Sequence, residues 1–160
     1  RALLIGDGPQ RARVEARARA LGLTDEVTLT GYQQDVRALI GACDAMAMCS
    51  TAVETFSLAA LEAMALARPV VHAELGGAAD MIDPGRDGWL FPVGDTAALV
   101  ERLAVLADPA VRRRIGEAAR ATVEARFSEA AMVDGYERTF LQLEAMRTER
   151  ENLRRRAAAY

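Results

Sequence analysis

Short apolar runs alternate along the chain with longer stretches in which apolar residues recur at helical spacing. Runs of four to six residues bounded by Gly, Pro, Asp or Ser predict strands, and the stretches between them predict helices. The strands are predicted at residues 1–5, 26–30, 44–49, 69–73 and 88–91. The first is predicted to be buried, and Trp89 and Phe91 of the last are expected in the core. The helices are predicted at residues 9–21, 35–43, 56–66, 78–82 and 95–107, then from 109 and again from 128 to the end of the chain.

Residues at the ends of these segments support the helix assignments. Gly22 is placed to end the first helix, Asp95 is suited to cap a later one, and Pro109 fits a first helical turn. Strands that alternate with helices predict βαβ units, and therefore an α/β fold with a Rossmann-like, mostly parallel sheet flanked by helices. Residues 1–160 are expected to form a single domain, with residues 129–160 as a C-terminal helical arm.

Composition and charge exclude several classes of protein. Of the 160 residues, 51% are hydrophobic and 27% charged, as in an ordinary globular domain. The formal net charge of −3 argues against a nucleic-acid binder, and no apolar run approaches the roughly 18 residues needed to span a bilayer. We therefore expect a cytoplasmic protein with no nucleic-acid partner, in which the charged residues 147–156 give at most peripheral membrane contact. Cys43 and Cys49 lack metal-ligand neighbours and are expected to be buried free thiols.

In a parallel α/β sheet, ligands bind beyond the carboxyl ends of the strands. Four segments follow predicted strands and are the candidates for such a site: 6–8, 31–32, 50–55 and 72–77. His72 ends its strand and is expected near the mouth of the cleft, more as a polar contact than as a catalytic base.

The helix predicted after Thr55 carries one carboxylate among apolar residues. Residues 58–61 and 63–66 place apolar side chains on every face, which predicts a buried helix. A buried Glu62 would need a partner, because a desolvated carboxylate without one costs several kcal/mol. Two interpretations are open: a structural salt bridge or solvent-facing rim position, and a carboxylate that accepts hydrogen bonds from ligand hydroxyls.

Glu54 lies in the loop before that helix, and the helix N-terminus lies between the two carboxylates. Free N–H groups and the helix dipole favour an anion such as phosphate at this end. Eight residues, part loop and part helix, separate Glu54 from Glu62 by roughly 10 Å at the ~1.5 Å helical rise. Each carboxylate could bind one polyol of a ligand whose diphosphate lies between them. The alternative for Glu54 is an acid that only stabilises the helix start.

The spacing Glu54-x7-Glu62 resembles the signature of the GT-B family of retaining glycosyltransferases known as family 4 or group 1. The similarity extends in order and spacing from Arg1 to Tyr136. It includes a glycine loop, the strand and turn beside the nucleobase, the helix and strand after the signature, two loops that close over the donor, and two later helix starts. These segments are, in turn, Leu3–Pro9, Val27–Tyr32, Glu62–Val71, Gly76–Asp80, Asp83–Gly88, Asp95 and Arg126–Ser128.

The resemblance implies an activity and a set of site residues. The activity is sugar transfer from a nucleoside-diphosphate sugar, which is the donor substrate, with no cofactor and no divalent metal. Glu54, the residue with the implied catalytic role, would contact hydroxyls of the donor sugar, and Glu62 would contact the ribose. Backbone N–H groups of three residues would meet the diphosphate: Phe56, Ser57 and Leu58. The remaining implied donor contacts are Gly8, Tyr32, Gly76 and Gly77.

The sequence also departs from the family pattern. Ala67 stands where the family usually has glycine, and Asp80 where it usually has glutamate. The resemblance implies a strand and a helix before Arg1, carrying an Arg and a Lys for the leaving diphosphate, and an N-terminal acceptor-binding half as a partner. Without that strand we expect a gap between the strands of Leu3 and Ala45. Another chain, a swapped element in a dimer or a rearranged sheet would fill it, or the chain is a piece of a cleaved enzyme that is inactive alone.

Other functions remain open at this point. Gly6-x-Gly8 after a strand suggests a dinucleotide-dependent oxidoreductase, but Arg11 stands where the third glycine of that motif belongs. A nucleotide-sugar epimerase of the same fold would bind the nucleotide in the same way but catalyse a different reaction. A non-catalytic interaction module would use its helices, including the charged tail, whose simpler interpretation is a solvated helix end.

Overall fold

The structure is a computed structural model that describes residues 1–157, without the side chains of residues 152, 153, 155, 156 and 157. Strands and helices alternate in the predicted order. The strands are β1 Ala2–Leu4, β2 Val27–Leu29, β3 Met46–Met48, β4 Val70–Ala73 and β5 Trp89–Phe91. The helices are α1 Arg11–Ala20, α2 Arg37–Ala42, α3 Leu58–Ala65, α4 Ala78–Met81, α5 Thr96–Val105, α6 Pro109–Arg126 and α7 Glu129–Ala157.

All strand pairs are parallel, as the alternation of strands and helices predicts. β1 pairs with β2, and β4 pairs with β3 on one side and β5 on the other. The predicted α/β class is therefore confirmed. The predicted gap is present as well: across residues 1–157, β1 pairs with β2 alone and β3 pairs with β4 alone, so no ladder joins β1 to β3.

β1 differs from the prediction in its burial. The sequence predicts a buried strand at residues 1–5, but Ala2 and Leu4 are exposed and Leu3 is half-buried. The prediction was wrong because an apolar run is buried only where both its edges and its faces are covered. Here one edge of β1 has no partner strand among the described residues.

The main core lies on one face of the three-stranded sheet. Val71 is in register with Trp89, and Ala73 with Phe91, so these four buried side chains share a face. Leu106 and Ile115 pack against them from the end of α5 and from α6. The expectation that Trp89 and Phe91 are core residues is confirmed.

Local chain signals set the helix ends. Gly22 has φ +68° directly after α1, where the Gly22 N–H donates to Arg19 O at 3.0 Å and the Leu23 N–H to Ala18 O at 2.9 Å. This is the double hydrogen bond of a Schellman ending, which needs the left-handed conformation that glycine adopts without strain. Asp95 caps α5 by accepting from the Ala98 N–H at 2.9 Å.

Residues Arg1–Arg120 and Ala121–Tyr160 form two compact units. The second contains the end of α6 and all of α7. Ser128 caps α7 by accepting from the Ala131 N–H at 3.2 Å. Residues 158–160 of the predicted arm lie outside the described residues. No helix within residues 1–157 has the length and apolar character needed to cross a bilayer.

Candidate functional site

The ends of β1 and β2 bring two of the predicted segments side by side. The Gly6 N–H donates to Gly31 O at 3.0 Å, and the two residues form an isolated bridge. Gly8 follows with open space where a side chain would project, and its N–H donates to Asp7 Oδ1 at 2.8 Å. Tyr32, directly after the bridge, is 79% exposed. Gly8 and the Tyr32 ring therefore belong to adjoining loops at the carboxyl ends of these strands.

The N-terminus of α3 is capped by a buried serine. Ser57 is only 3% exposed, and its Oγ accepts from the Ala60 N–H at 3.3 Å. The N–H groups of Ser57 and Leu58 have no acceptor within residues 1–157. Unsatisfied N–H groups at a helix start attract an anion, because they add to the positive end of the helix dipole.

α3 is buried on one face only. Its buried side chains are Ala60, Ala63 and Met64, whereas Leu58 is 70% exposed and Glu62 is exposed one turn further along. The prediction of a helix buried on every face was wrong. The reason is that α3 makes its main contacts with α2, β3 and β4, and these leave the face of Leu58 and Glu62 uncovered.

The two carboxylates are not engaged in ion pairs. Glu54 is half-buried in the loop before α3, and Glu62 is exposed on α3. Neither takes part in a salt bridge with any residue of the described part of the chain. Of the structural interpretations considered for Glu62, the salt bridge is absent within residues 1–157 and the solvent-facing position is present. Both carboxylates are available to accept hydrogen bonds.

Gly76 and Gly77 pack directly on the segment that carries Glu54. The Gly77 N–H donates to Thr55 O at 2.8 Å. A Cβ at position 76 would lie 1.7 Å from Glu54 O, and a Cβ at position 77 would lie 3.1 Å from Cδ2 of Phe56, a side chain that is 40% exposed. The site residues thus fall into two groups, Gly8 with Tyr32 and Gly76–Gly77 with 54–62, each held by its own contacts.

The Thr55–Gly77 contact is a feature that sequence reasoning missed. It joins residues far apart in sequence, and the available signal was indirect. β3 and β4 are parallel neighbours, so the loops that follow them adjoin at the same edge of the sheet. A glycine pair in one such loop then indicates a close approach of backbone from the other.

His72 is not where the sequence placed it. It is fully buried in the central strand β4, in register with Met48 and Leu90, and not at a cleft mouth. Its Nδ1 lies 2.6 Å from Ala73 O, which makes Nδ1 the donor, and its Nε2 has no partner in the described part of the chain. β4 is paired at both edges and is contacted by the helices α3 and α5, so its side chains are shielded from solvent even near its carboxyl end.

The two thiols also depart from the prediction. Cys43 is half-buried and Cys49 is exposed; both are free. Although Cys49 is exposed as a residue, protein atoms around its sulfur desolvate the thiol and raise its pKa above the ordinary value of 9.0. No group of three His, Cys, Asp or Glu residues within the described ranges is arranged to hold a metal ion.

A cavity of about 490 Å³ lies on α1 and the β1–β2 pair. Its lining is mainly apolar and includes Leu4, Val14, Leu21 and Val27, with Arg13 and Arg17. It contains no predicted site residue. The candidate site is thus an open surface at the strand ends, formed by loops and by the uncovered face of α3.

This fold is shared with solved glycosyltransferase structures. The chain superposes on Anabaena HepE in complex with UDP with a TM-score of 0.80 and 28% identity, covering 88% of this chain and 40% of that one. It superposes on sucrose-phosphate synthase from Thermosynechococcus elongatus with a TM-score of 0.78 and 33% identity, covering 90% and 38%. The fold is therefore that of the C-terminal half of the GT-B class of glycosyltransferases.

Sequence comparison gives the family. The family model "Glycosyl transferases group 1" matches residues 1–122, and the chain belongs to this family. It is 35% identical over 136 residues to N-acetyl-alpha-D-glucosaminyl L-malate synthase of Bacillus anthracis, covering 84% of this chain and 35% of that protein. The chain spans between 35% and 40% of the length of these three relatives.

Proposed function

We propose that this chain is the donor-binding part of a retaining glycosyltransferase that uses a nucleoside-diphosphate sugar. The observation that carries the proposal is the arrangement around α3. Two carboxylates without ion pairs, Glu54 and Glu62, flank a helix start at which the Ser57 and Leu58 N–H groups have no acceptor within the described chain. A diphosphate at the helix start would have a polyol on each side, within reach of one carboxylate each.

The relatives support the same class of ligand. One solved structure similar to this chain, that of Anabaena HepE, is a complex with UDP, and another of the same protein is a complex with UDP-glucose. In the proposed binding mode, Glu62 accepts hydrogen bonds from the ribose and Glu54 from the donor sugar. The Gly8 loop and Tyr32 border the nucleoside.

The proposed reaction breaks the bond between the anomeric carbon and the diphosphate oxygen. The electron pair of that bond leaves with the nucleoside diphosphate, and its developing charge is stabilised by the N–H groups at the start of α3. An acceptor hydroxyl bonds to the anomeric carbon on the face that the diphosphate leaves, and its proton passes to the departing phosphate. The configuration is therefore retained. The acceptor site is assigned to an N-terminal half of the intact protein.

Two substitutions separate the roles of the carboxylates. Loss of a hydrogen bond to a charged group costs about 1.5–3 kcal/mol, so E62Q is expected to weaken binding of both UDP and UDP-glucose by roughly 10- to 100-fold. E54Q is expected to weaken UDP-glucose by a similar factor and leave UDP unchanged. A panel of UDP- and GDP-sugars first identifies the nucleobase of the donor. Isothermal titration calorimetry on the intact protein then measures the affinities for the nucleotide and for the nucleotide sugar.

The matched control is E101Q, because Glu101 is an exposed carboxylate on α5, away from the strand ends. It is expected to bind both ligands as the wild type does. If E54Q and E62Q also bind every nucleotide and nucleotide sugar of the panel like the wild type, the donor site lies elsewhere and the proposal is wrong.

We also propose that transfer proceeds without a divalent metal, since helix N–H groups and basic side chains can neutralise the leaving diphosphate. Activity of the intact enzyme is then expected to survive dialysis against EDTA. Loss of activity that returns on addition of Mg²⁺ or Mn²⁺ would contradict this.

A further inference from the structure

We propose that Gly76 and Gly77 are positioning residues, which hold segment 54–56 in place and thereby set where Glu54 meets the donor sugar. The inference rests on the proposed function for its consequence, but its structural basis is independent of any ligand. It assigns these two glycines a role toward their own protein, in place of the direct donor contact that the family resemblance implies.

The contact at Gly76 leaves no room for a side chain. A Cβ there would lie 1.7 Å from the carbonyl oxygen of Glu54 and 2.7 Å from its carbonyl carbon. Both are backbone atoms, which cannot rotate away as the end of a side chain can. Any substitution at position 76 therefore has to push the Glu54 peptide outward or move the turn that follows β4.

At Gly77 a side chain is excluded by the lack of space and not by the backbone conformation. Its φ of −80° and ψ of 13° are open to any residue. A Cβ there would nevertheless lie 2.7 Å from Thr55 O and 3.1 Å from a ring carbon of Phe56. The missing side chain lets the Gly77 N–H reach Thr55 O at 2.8 Å. The hydrogen bond from Gly77 and the close approach of both glycines thus hold three consecutive residues of the segment in place.

The other end of the segment is fixed as well. Ser57 is buried and caps α3 through its bond from the Ala60 N–H. Segment 54–56 therefore lies along the glycine turn and ends at an anchored helix cap, with Glu54 next to Gly76 and farthest from the cap. Displacement of the glycine turn is expected to move Glu54 most and the α3 N-terminus least.

The test compares G76A and G77A with alanine substitutions at glycines that have open space around them. Gly94 has φ +80° and nothing within 4 Å of the place that a Cβ would take, so G94A reproduces the conformational strain of G76A without the clash. Gly41 is helical with nothing within 4 Å, so G41A is the control for G77A. All four variants are made in the intact protein and compared by thermal unfolding.

Hydrogen exchange at single-residue resolution reads the contact directly. The residue 77 amide is expected to exchange faster in G76A and G77A than in the controls, because its bond to Thr55 O is broken. Calorimetry with UDP-glucose and UDP reads the consequence. Loss of the hydrogen bond between a displaced Glu54 and the donor sugar is expected to lower the affinity for UDP-glucose by up to roughly 100-fold. Affinity for UDP should stay within about 3-fold of the control, well short of one 10-fold step.

The outcomes separate the two proposals. Equal exchange at residue 77 in the variants and their controls would overturn the positioning role. Equal losses of UDP and UDP-glucose affinity would overturn the assignment to Glu54 and indicate damage to the whole site. A wild-type protein that exchanges slowly at residue 77 but binds no nucleotide sugar of the UDP and GDP panel would overturn the proposed function and leave the contact itself standing.

Discussion

The carbonyl oxygen of Ala67 occupies the place that a side chain at Gly116 would need. A Cβ on residue 116 would lie 2.1 Å from that oxygen and 2.9 Å from the Ala67 carbonyl carbon. Helix α6 therefore packs with its backbone against the turn that ends α3, and this turn leads directly into the central strand β4. The glycine is what allows the helix to approach so closely.

Substitution of this glycine is expected to destabilise the fold. Alanine normally favours a helix interior over glycine, but G116A introduces a clash with backbone, and overpacking of this kind costs about 1–3 kcal/mol. Urea unfolding followed by circular dichroism measures the change. Gly135 in α7 has open space around it, so G135A is the control and is expected to be neutral or stabilising. Equal stability of the two variants would contradict the packing described above.

Ala67 itself is strained. It is the one non-glycine residue with positive φ within residues 1–157, at 55°. A left-handed conformation costs an L-residue about 1–2 kcal/mol, which glycine avoids. Glycine in turn lowers stability by about 0.4–1 kcal/mol, because it gives the unfolded chain more conformational entropy. A67G is therefore expected to raise the free energy of unfolding by up to about 1 kcal/mol. A65G, in the helical last turn of α3, is the control and should lower it.

Asp35 and Arg37 form a two-pronged ion pair at the start of α2. Arg37 Nε donates to Asp35 Oδ1 at 2.9 Å and Arg37 Nη2 to Oδ2 at 2.6 Å. These side-chain hydrogen bonds, followed by one from the Arg37 backbone N–H, lower the pKa of Asp35 from 3.8 to about 2.

The stability that this pair adds is present above pH 3.8 and is lost as the pH falls from 3.8 to about 2, because the folded state then has to take up the proton. An NMR titration of the Asp35 carboxyl carbon measures the pKa. R37A is expected to return it toward 3.8, and R37K to do so in part, since lysine cannot form both prongs. A pKa that is the same in the wild type and R37A would refute the assignment.

Desolvation of the Cys49 thiol predicts slow alkylation of its sulfur, although the residue is exposed. Because its pKa is raised, less thiolate is present at a given pH, and thiolate is the reactive form. In a C43S background, carboxamidomethylation of Cys49 by iodoacetamide is expected to be slower than that of free cysteine at about pH 8 and to accelerate in urea. A native rate equal to that of free cysteine would contradict the desolvation.

Much of the fold could be predicted from local chain signals. Gly22, Asp95 and Ser128 end or cap the helices where the sequence placed them, because each acts through hydrogen bonds to its own neighbours. Burial was predicted less well. Leu4 was expected to be buried and is exposed, and Leu58 is exposed on a helix that was expected to be buried on every face. Burial depends on which elements cover a face and not on the run of apolar residues alone.

The candidate site shows the same division. The segments after the strands could be located from the alternation of elements, and the structure places them at the strand ends. The contact between Thr55 and Gly77 could not be predicted, because it depends on the loops of two neighbouring strands meeting in space. His72 was misplaced for a related reason: the strands paired with β4 and the helices α3 and α5 together shield its side chain from solvent.

β1 and β3 each have one edge with no partner strand within residues 1–157, and this has a practical consequence for the purified chain. Each such edge is a row of backbone donors and acceptors to which an extended segment of another molecule can add, which is how sheets nucleate aggregates. Each strand is only three residues long, so a single such addition is weak. Preparations of these 160 residues should therefore stay clear when dilute and become turbid as the concentration rises.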